Sequence, residues 1–345
     1  MFGNRLSFCT PKLASLSFYQ SAITLRHPSS DLKHLFSRKM TTGDSLVDQL
    51  LGKYSSLKIK NKEAVESKLK TIFDGGKEKL QLIVDFDNTL TRHHKDGKLT
   101  DCSWGVMENS PLLPKDYTEK TNTLRAKYLP IEQDPNLTIA EKIPHMEEWY
   151  KRANQLLQEC GMKKSMFGEF VKTSNVEFRD HTKYMLDQLS EAQVPVLVMS
   201  AGLGDILVEV MDAFKVYHRS NTKVVSNFLS YDADGKVIGL ESKMIHVYNK
   251  NETAVHDSEY FEKLKGRGNV VLLGDSIGDL QMADGVEKGS NVLKIGFLNN
   301  KETAEKRLPS FLDGFDIVLL DDQTMNVPLE ILSKIESLNM SMPSN

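Results

Sequence analysis

Residues 80–91 read LQLIVDFDNTLT, an apolar run that ends abruptly in two carboxylates, Asp85 and Asp87. Leu80, Leu82, Ile83 and Val84 suit a fully buried strand, and the run is too short and too β-branched for a helix. The pattern predicts a strand that stops where the acids begin. Both carboxylates then sit at its carboxyl end, the edge at which open α/β sheets bind ligands. At roughly 4 Å and an effective dielectric near 20, two like charges repel by about 4 kcal/mol. A buried edge keeps such a pair only beside something cationic, so the pattern implies a metal ion. Taken alone, Asp85-x-Asp87 also fits a solvated strand end or a turn. What lies downstream decides.

Asn269–Leu280, NVVLLGDSIGDL, has the same arrangement. Val270 to Leu273 predict a second buried strand ending in Asp275, with Asp279 one helical turn beyond. Gly274 and Gly278 are read as permitting a sharp strand-to-helix turn, and Ser276 as the cap of the helix that follows. Val194–Asp205, VPVLVMSAGLGD, predicts a strand, then Ser200, then Gly202 and Gly204 opening a helix at Ile206. Backbone N–H groups at a helix start, with a hydroxyl beside them, make an anion site. Lys250, in HVYNKN, reads as a strand-end lysine among turn residues.

In this order the four segments resemble the haloacid dehalogenase (HAD) phosphatase superfamily, whose motifs run DxDxT, Ser, Lys and GDxxxD. DFDNTLT, YLPIEQDPNLTIAEKIPHMEEWY, VMSAGLGD, KVVSNF, IHVYNKN and GDSIGDLQMADGV narrow the resemblance. They are similar to the cytosolic 5′-nucleotidase III family, the pyrimidine 5′-nucleotidases, over roughly residues 60–335. The resemblance implies a Rossmann-like, doubly wound, mostly parallel sheet with an inserted helical cap. It also implies a nucleoside 5′-monophosphate as substrate.

Asp85 is the candidate nucleophile, forming an aspartyl-phosphate. Asp87, two residues on, can protonate the leaving oxygen and then activate water, provided neighbouring carboxylates raise its pKa. Hard oxygen ligands, few of them from protein, point to Mg²⁺. The resemblance assigns Asp85 and Asp275 as direct carboxylate ligands and Asp87 through its backbone carbonyl, with Asp279 close by. Ser200 and the N–H of Ala201 would hold phosphate oxygens, and Lys250 would balance charge around phosphorus.

The resemblance also makes Glu132, in PIEQDP, the residue that binds the nucleoside; by itself a glutamate in a loop between two prolines would face solvent. Trp149 or Tyr150 can supply an aromatic face for a base. Ala153 stands where pyrimidine-type members carry a serine, which leaves base preference open between pyrimidine and 7-methylguanine. His93 and His94 read as flap residues rather than ligands. Hydrolysis and phosphoryl transfer to a nucleoside acceptor are not separated by these motifs. Two alternatives stand beside this reading: a HAD phosphatase for another small phosphomonoester, and a catalytically silent HAD-like binding protein. Asp85, Asp87, Lys250 and Asp275 are all present, which speaks against the second.

The 345-residue chain, 40% hydrophobic, can bury one large core or two smaller ones. Three cysteines, Cys9, Cys102 and Cys160, lack metal-ligand spacing and argue for a reducing compartment. No stretch approaches a membrane-spanning helix, so no membrane partner is expected. Residues 1–40 carry six basic residues against one acid, so the formal charge of -3 leaves about -8 on the remainder. That excludes a nucleic-acid polymer as a partner bound by charge. The basic, serine-rich start has the composition of an organelle transit peptide, and equally of a disordered tail. The expected location is the cytoplasm, or mitochondria or plastids if that segment is an address. The expected assembly is a monomer.

Regular structure is expected from about Asn61, with an amphipathic helix over 62–73 ended by Gly75-Gly76. Residues 95–176 show no buried strand pattern and predict helices over 116–128, 138–160 and 163–174. The chain thus divides into a segment 1–45, a core of 46–94 and 177–345, and a helical cap of 95–176. A helix over 180–191, strands over 223–228, 291–295 and 316–320, and a hairpin over 231–239 complete the core.

Overall fold

The computed structural model describes residues 45–134, 136–242, 244–250 and 258–343. Contacts gather residues 44–345 into one compact unit, and the transit-like segment expected over 1–45 lies almost entirely outside the described residues. The described strands are β1 (Leu57–Lys58), β2 (Leu80–Asp85), β3 (His94–Lys95), β4 (Lys98–Leu99), β5 (Val196–Leu203), β6 (Thr222–Asn227), β7 (Leu229–Tyr231), β8 (Val237–Leu240), β9 (Asn269–Gly274), β10 (Asn291–Leu298) and β11 (Ile317–Leu320). Seven form one sheet in the order β1-β11-β10-β9-β2-β5-β6, while β3-β4 and β7-β8 are small antiparallel pairs. Only β1 runs antiparallel in the large sheet.

Strand order reverses between β2 and β9. Chain order runs outward through β5 and β6 on one side of β2, and through β9, β10 and β11 on the other. A crevice forms at such a switch point because the connections leave in opposite directions. Asp85 ends β2 and Asp275 follows β9 directly, so the topology delivers both acids to that crevice.

Every residue of β2, β5 and β9 is buried, as strands covered on both faces must be. Alternation sorts their side chains into two cores. Leu82 and Val84 join Val196, Val198 and Val271 on one face; Ile83 joins Leu197, Val270 and Leu272 on the other. Helices Lys62–Gly75, Thr182–Glu191 and Gly204–Ala213 cover the first face, and helix Lys301–Gly314 packs Phe311 on the second. Among the described residues no helix is long and apolar enough to cross a membrane.

Regular structure begins earlier than Asn61: helix Leu46–Lys53 and β1 precede it. Their signal is weak because the helix spans only two turns and β1 only two residues.

The inserted region is helical, through Ser103–Glu108, Lys115–Gln133, Ile139–Glu159 and Phe167–Thr173. Thr138 and Glu141 form a capping box that starts the third of these. Helix Lys115–Gln133 runs through Pro130, so Glu132 lies in its last turn rather than in a loop. Proline there removes one hydrogen bond near a helix end, where the loss is cheaper than in the middle. Tyr128 and Met146 of the two long helices pack with Val247 and Tyr248 in a third, small core that joins the insertion to the segment carrying Lys250.

Candidate active site

Asp85 is 1% exposed at the end of β2, and Lys250 Nζ lies 2.5 Å from its Oδ1. The same ammonium is 3.1 Å from Asp279 Oδ1. Lys250 is not at a strand end; it sits in an irregular segment after the turn at Val247–Tyr248. Asp279 Oδ2 accepts from the N–H groups of Asp275 (3.0 Å) and Ser276 (2.9 Å), folding the turn after β9 back on itself. Ser276 caps the short helix Ile277–Ala283, as expected. Gly274 and Gly278 have no left-handed φ, contrary to the turn reading. Their missing Cβ serves close approach instead: one added to Gly274 would lie 2.6 Å from Asp279 Cβ, and one on Gly278 2.3 Å from the Val247 carbonyl oxygen.

One oxygen each from Asp85, Asp275 and Asp279 fall within 4.8 Å of one another. Asp279 spends both oxygens on Lys250 and the two backbone amides. Asp85 Oδ2 and the Asp275 carboxylate have no donor among the described residues, and only one ammonium faces the three acids. Free hard oxygens and an excess of negative charge are what a divalent cation fits. Burial, with repulsion from the other acids, pushes the Asp85 and Asp275 carboxyls up, Asp275 well above the usual carboxylate range. Burial opposes the charge on Lys250, yet Asp279 and Asp85 hold its pKa well above the ordinary lysine value.

Asp87 is held from the insertion. Ser103 donates to it twice, from its N–H to Oδ1 (2.6 Å) and from its hydroxyl to Oδ2 (2.5 Å). Burial raises the Asp87 carboxyl, against the pull of these two bonds. Gly202 makes room for the pair: a Cβ there would lie 1.8 Å from Ser103 Oγ and 3.0 Å from Asp87 Oδ2. Ser103 carries no signal in the sequence, because its partner is sixteen residues away in an unrelated element.

Ser200 lies inside β5, not at a helix start; the helix begins at Gly204 without a side-chain cap. The pairing of β5 with β6 shifts register between Met199 and Leu203, and the Ser200 hydroxyl accepts from the Gly202 N–H at 2.9 Å. Ser200 and Ala201 therefore reach the cavity from an irregular strand end.

The loop after Asp87 turns through Asn88, a non-glycine residue at φ 58. Arg179, fully buried, holds it. The guanidinium donates to the carbonyls of Thr89 (2.7 Å), Asn88 and Asp322 and to Asn299 Oδ1 (2.7 Å). Thr91 Oγ1 accepts from the Asn88 N–H at 2.9 Å, whereas the hydroxyl of Thr89, the motif threonine, is buried without a partner among the described residues. Arg179 reads as one charge among several in EFRDHT, and sequence reasoning missed it.

Asp87, Asn88 and Asn299 face a cavity of about 390 Å³. Asp85, Asp275, Lys250, Ser200 and Ala201 line one part of it. Glu132, Trp104, Tyr150 and Arg307 line others. Glu132 is partly exposed, and it lines the cavity; burial raises its carboxyl while Lys250, Arg307 and Lys142 pull the other way. Tyr150 meets Trp104 edge to face at 6.1 Å, but Trp149 stacks on Tyr128 in the cap and is not a lining residue. Ala153 is buried and does not line the cavity. Of the histidines, His93 lines the cavity, and His94 bonds Asp321 at 2.5 Å.

Residues 88–336 match the family described as pyrimidine 5′-nucleotidase (UMPH-1). The chain is 42% identical over 261 residues to a human protein named 7-methylguanosine phosphate-specific 5′-nucleotidase, covering 76% of this chain and 86% of the relative. A Drosophila melanogaster protein of the same name is 40% identical over 274 residues, 78% of this chain and 85% of the relative. Among solved structures it is similar to cytosolic 5′-nucleotidase IIIB bound to cytidine. That likeness has a TM-score of 0.76 at 37% identity, over 85% of this chain and 97% of that one.

Proposed function

The chain belongs to the pyrimidine 5′-nucleotidase family and is a 5′-nucleotidase, and from that premise we propose that it hydrolyses 7-methylguanosine and cytidine 5′-monophosphates by way of an aspartyl-phosphate at Asp85. One observation carries the reading. A single cavity offers Asp85, Asp275 and Lys250 for a phosphate, and Glu132 with the aromatic residues Trp104 and Tyr150 for a nucleoside.

Asp85 attacks phosphorus through one carboxylate oxygen as the bond to the ester oxygen breaks. Asp87 gives that oxygen its proton; its raised pKa suits a general acid, and Ser103 keeps it aimed. Asp87, now a carboxylate, takes a proton from water, which attacks the acyl-phosphate and frees Asp85. Lys250 and the Ser200–Ala201 backbone balance charge on the equatorial oxygens. Asp85 and Asp275 would hold Mg²⁺, with Asp87 contributing its carbonyl and Asp279 orienting the turn. Bound there, the ion would offset the negative charge of phosphate among the acids.

When ionised, Glu132 can only accept hydrogen bonds, so it favours a base edge that presents donors: the N1–H and N2 amine of guanine, or the cytosine amine. A methylated guanine is also cationic, which pairs with the Glu132 carboxylate and suits the faces of Trp104 or Tyr150. Phosphate release from a panel of nucleoside monophosphates, with and without Mg²⁺ after chelation, tests this. The 7-methylguanosine and cytidine compounds should be fastest and adenosine monophosphate poor. Equal rates across the panel would sink the base reading, and full activity after exhaustive chelation the metal assignment.

A further inference from the structure

Around the small core between the insertion and the segment carrying Lys250, Lys142 and Tyr248 line the cavity with polar atoms to which this chemistry gives no role. Glu132 lies in the last turn of helix Lys115–Gln133, so its carbonyl has no intrahelical donor. Two donors from separate elements converge on it. Lys142 Nζ, from helix Ile139–Glu159, lies at 2.8 Å, and the Tyr248 hydroxyl at 3.0 Å. Tyr248 stands two residues before Lys250, on the segment that brings the ammonium to Asp85.

A lysine at a helix C-terminus is ordinarily a cap with its head in water. Lys142 is instead 8% exposed, its ammonium 5.9 Å from the centre of the Tyr248 ring. Burial lowers its pKa, so the charge is kept at a cost that methionine or leucine would avoid. Satisfying one helix-end carbonyl needs one donor, and water would do. Two side chains, one 116 residues away, do more: they fix the backbone of Glu132 against the lysine-bearing segment.

We propose that Lys142 and Tyr248 clamp the main-chain carbonyl of Glu132 and so set the distance between its carboxylate and the phosphate end of the cavity, making them positioning residues for selectivity toward nucleoside over other phosphomonoesters. The proposal rests on the reading of Glu132 as the nucleoside contact. Loosening the clamp leaves the bonds of Lys250 to Asp85 and Asp279 in place and weakens only substrates that reach Glu132.

Steady-state kinetics of the full chain, Tyr248→Phe and Lys142→Met test it, with 7-methylguanosine and cytidine 5′-monophosphates against p-nitrophenyl phosphate, which has no nucleoside. The ratio of kcat/KM for nucleotide to that for p-nitrophenyl phosphate should fall about fivefold in each variant, the weight of one hydrogen bond, with the loss in the nucleotide KM. An unchanged ratio in both variants, or an equal loss on all substrates, overturns the clamp. Glu132→Gln, measured alongside, separates the two ideas. If it leaves the ratio unchanged, the reading of Glu132 fails and the clamp with it. If it collapses the ratio while the other two variants do not, the clamp alone fails.

Discussion

Replacing Arg179 by lysine should destabilise the fold and slow the enzyme together, for one geometric reason. The guanidinium is fully buried over the Phe297 ring, 4.1 Å from its centre, and serves four acceptors. Asn88 keeps a second donor, Asn299 Nδ2 at 3.0 Å. The carbonyls of Thr89 and Asp322 and the Asn299 side-chain oxygen do not gain one. A lysine head is a point charge on a flexible stem and cannot span the fork. If it reaches one of the three, two buried acceptors are orphaned at about 1–3 kcal/mol each, giving a loss of about 2–6 kcal/mol. Set against a total stability of about 5–15 kcal/mol, that is a large fraction. With an m-value of about 3 kcal/mol per M, the urea midpoint should fall by about 1 M. The same bonds anchor the carbonyl of Asn88, the residue after Asp87, so kcat should drop about tenfold even where the protein is folded. Urea unfolding followed by circular dichroism, with kcat measured in the folded baseline, checks both. A midpoint within about 0.2 M of the parent, together with an unchanged kcat, would refute the argument.

Asp85→Asn keeps shape and removes the attacking charge, so turnover should fall by several decades while the fold persists; substantial residual activity, or no acid-stable phosphoenzyme in the parent after quenching, would count against the covalent route. Gly202→Ala places a Cβ 1.8 Å from Ser103 Oγ, so Ser103 must move and Asp87 lose its anchor; kcat should fall well before thermal stability does, and a variant with parental kcat would show that Ser103 is dispensable. Cys102 lines the cavity, but burial, and then Asp87, push its thiol up to about 12. Its thiolate appears only as pH rises toward that value, so at pH 7.5 iodoacetamide should label it about a thousandfold more slowly than an ordinary cysteine; rapid labelling seen by mass spectrometry of the native protein would contradict the burial argument.

The buried strands and the acids that end them are legible in the chain. Continuous apolar runs and abrupt polarity changes are local, and β2 and β9 declare both within a dozen residues. The chain also carries the family's motifs in order, and with them Asp85, Asp87, Glu132, Ser200, Lys250 and Asp275. All of these reach one cavity: Asp85, Asp87, Ser200 and Asp275 because parallel strands present their carboxyl ends to the same edge, Glu132 and Lys250 because a helix of the insertion and an irregular segment are laid over it. What holds them comes from contacts between distant segments. Ser103 reaches Asp87 across sixteen residues, Arg179 reaches Thr89 across ninety, and Tyr248 reaches Glu132 across 116. No local pattern encodes such pairings. They follow from how far each strand is slid against its neighbour and how the insertion is laid over the crevice. Trp149 and Tyr150 make the same point at the shortest range. Neighbours on a helix are turned about 100° apart, so one had to face away from the cavity, and packing against Tyr128 chose Trp149.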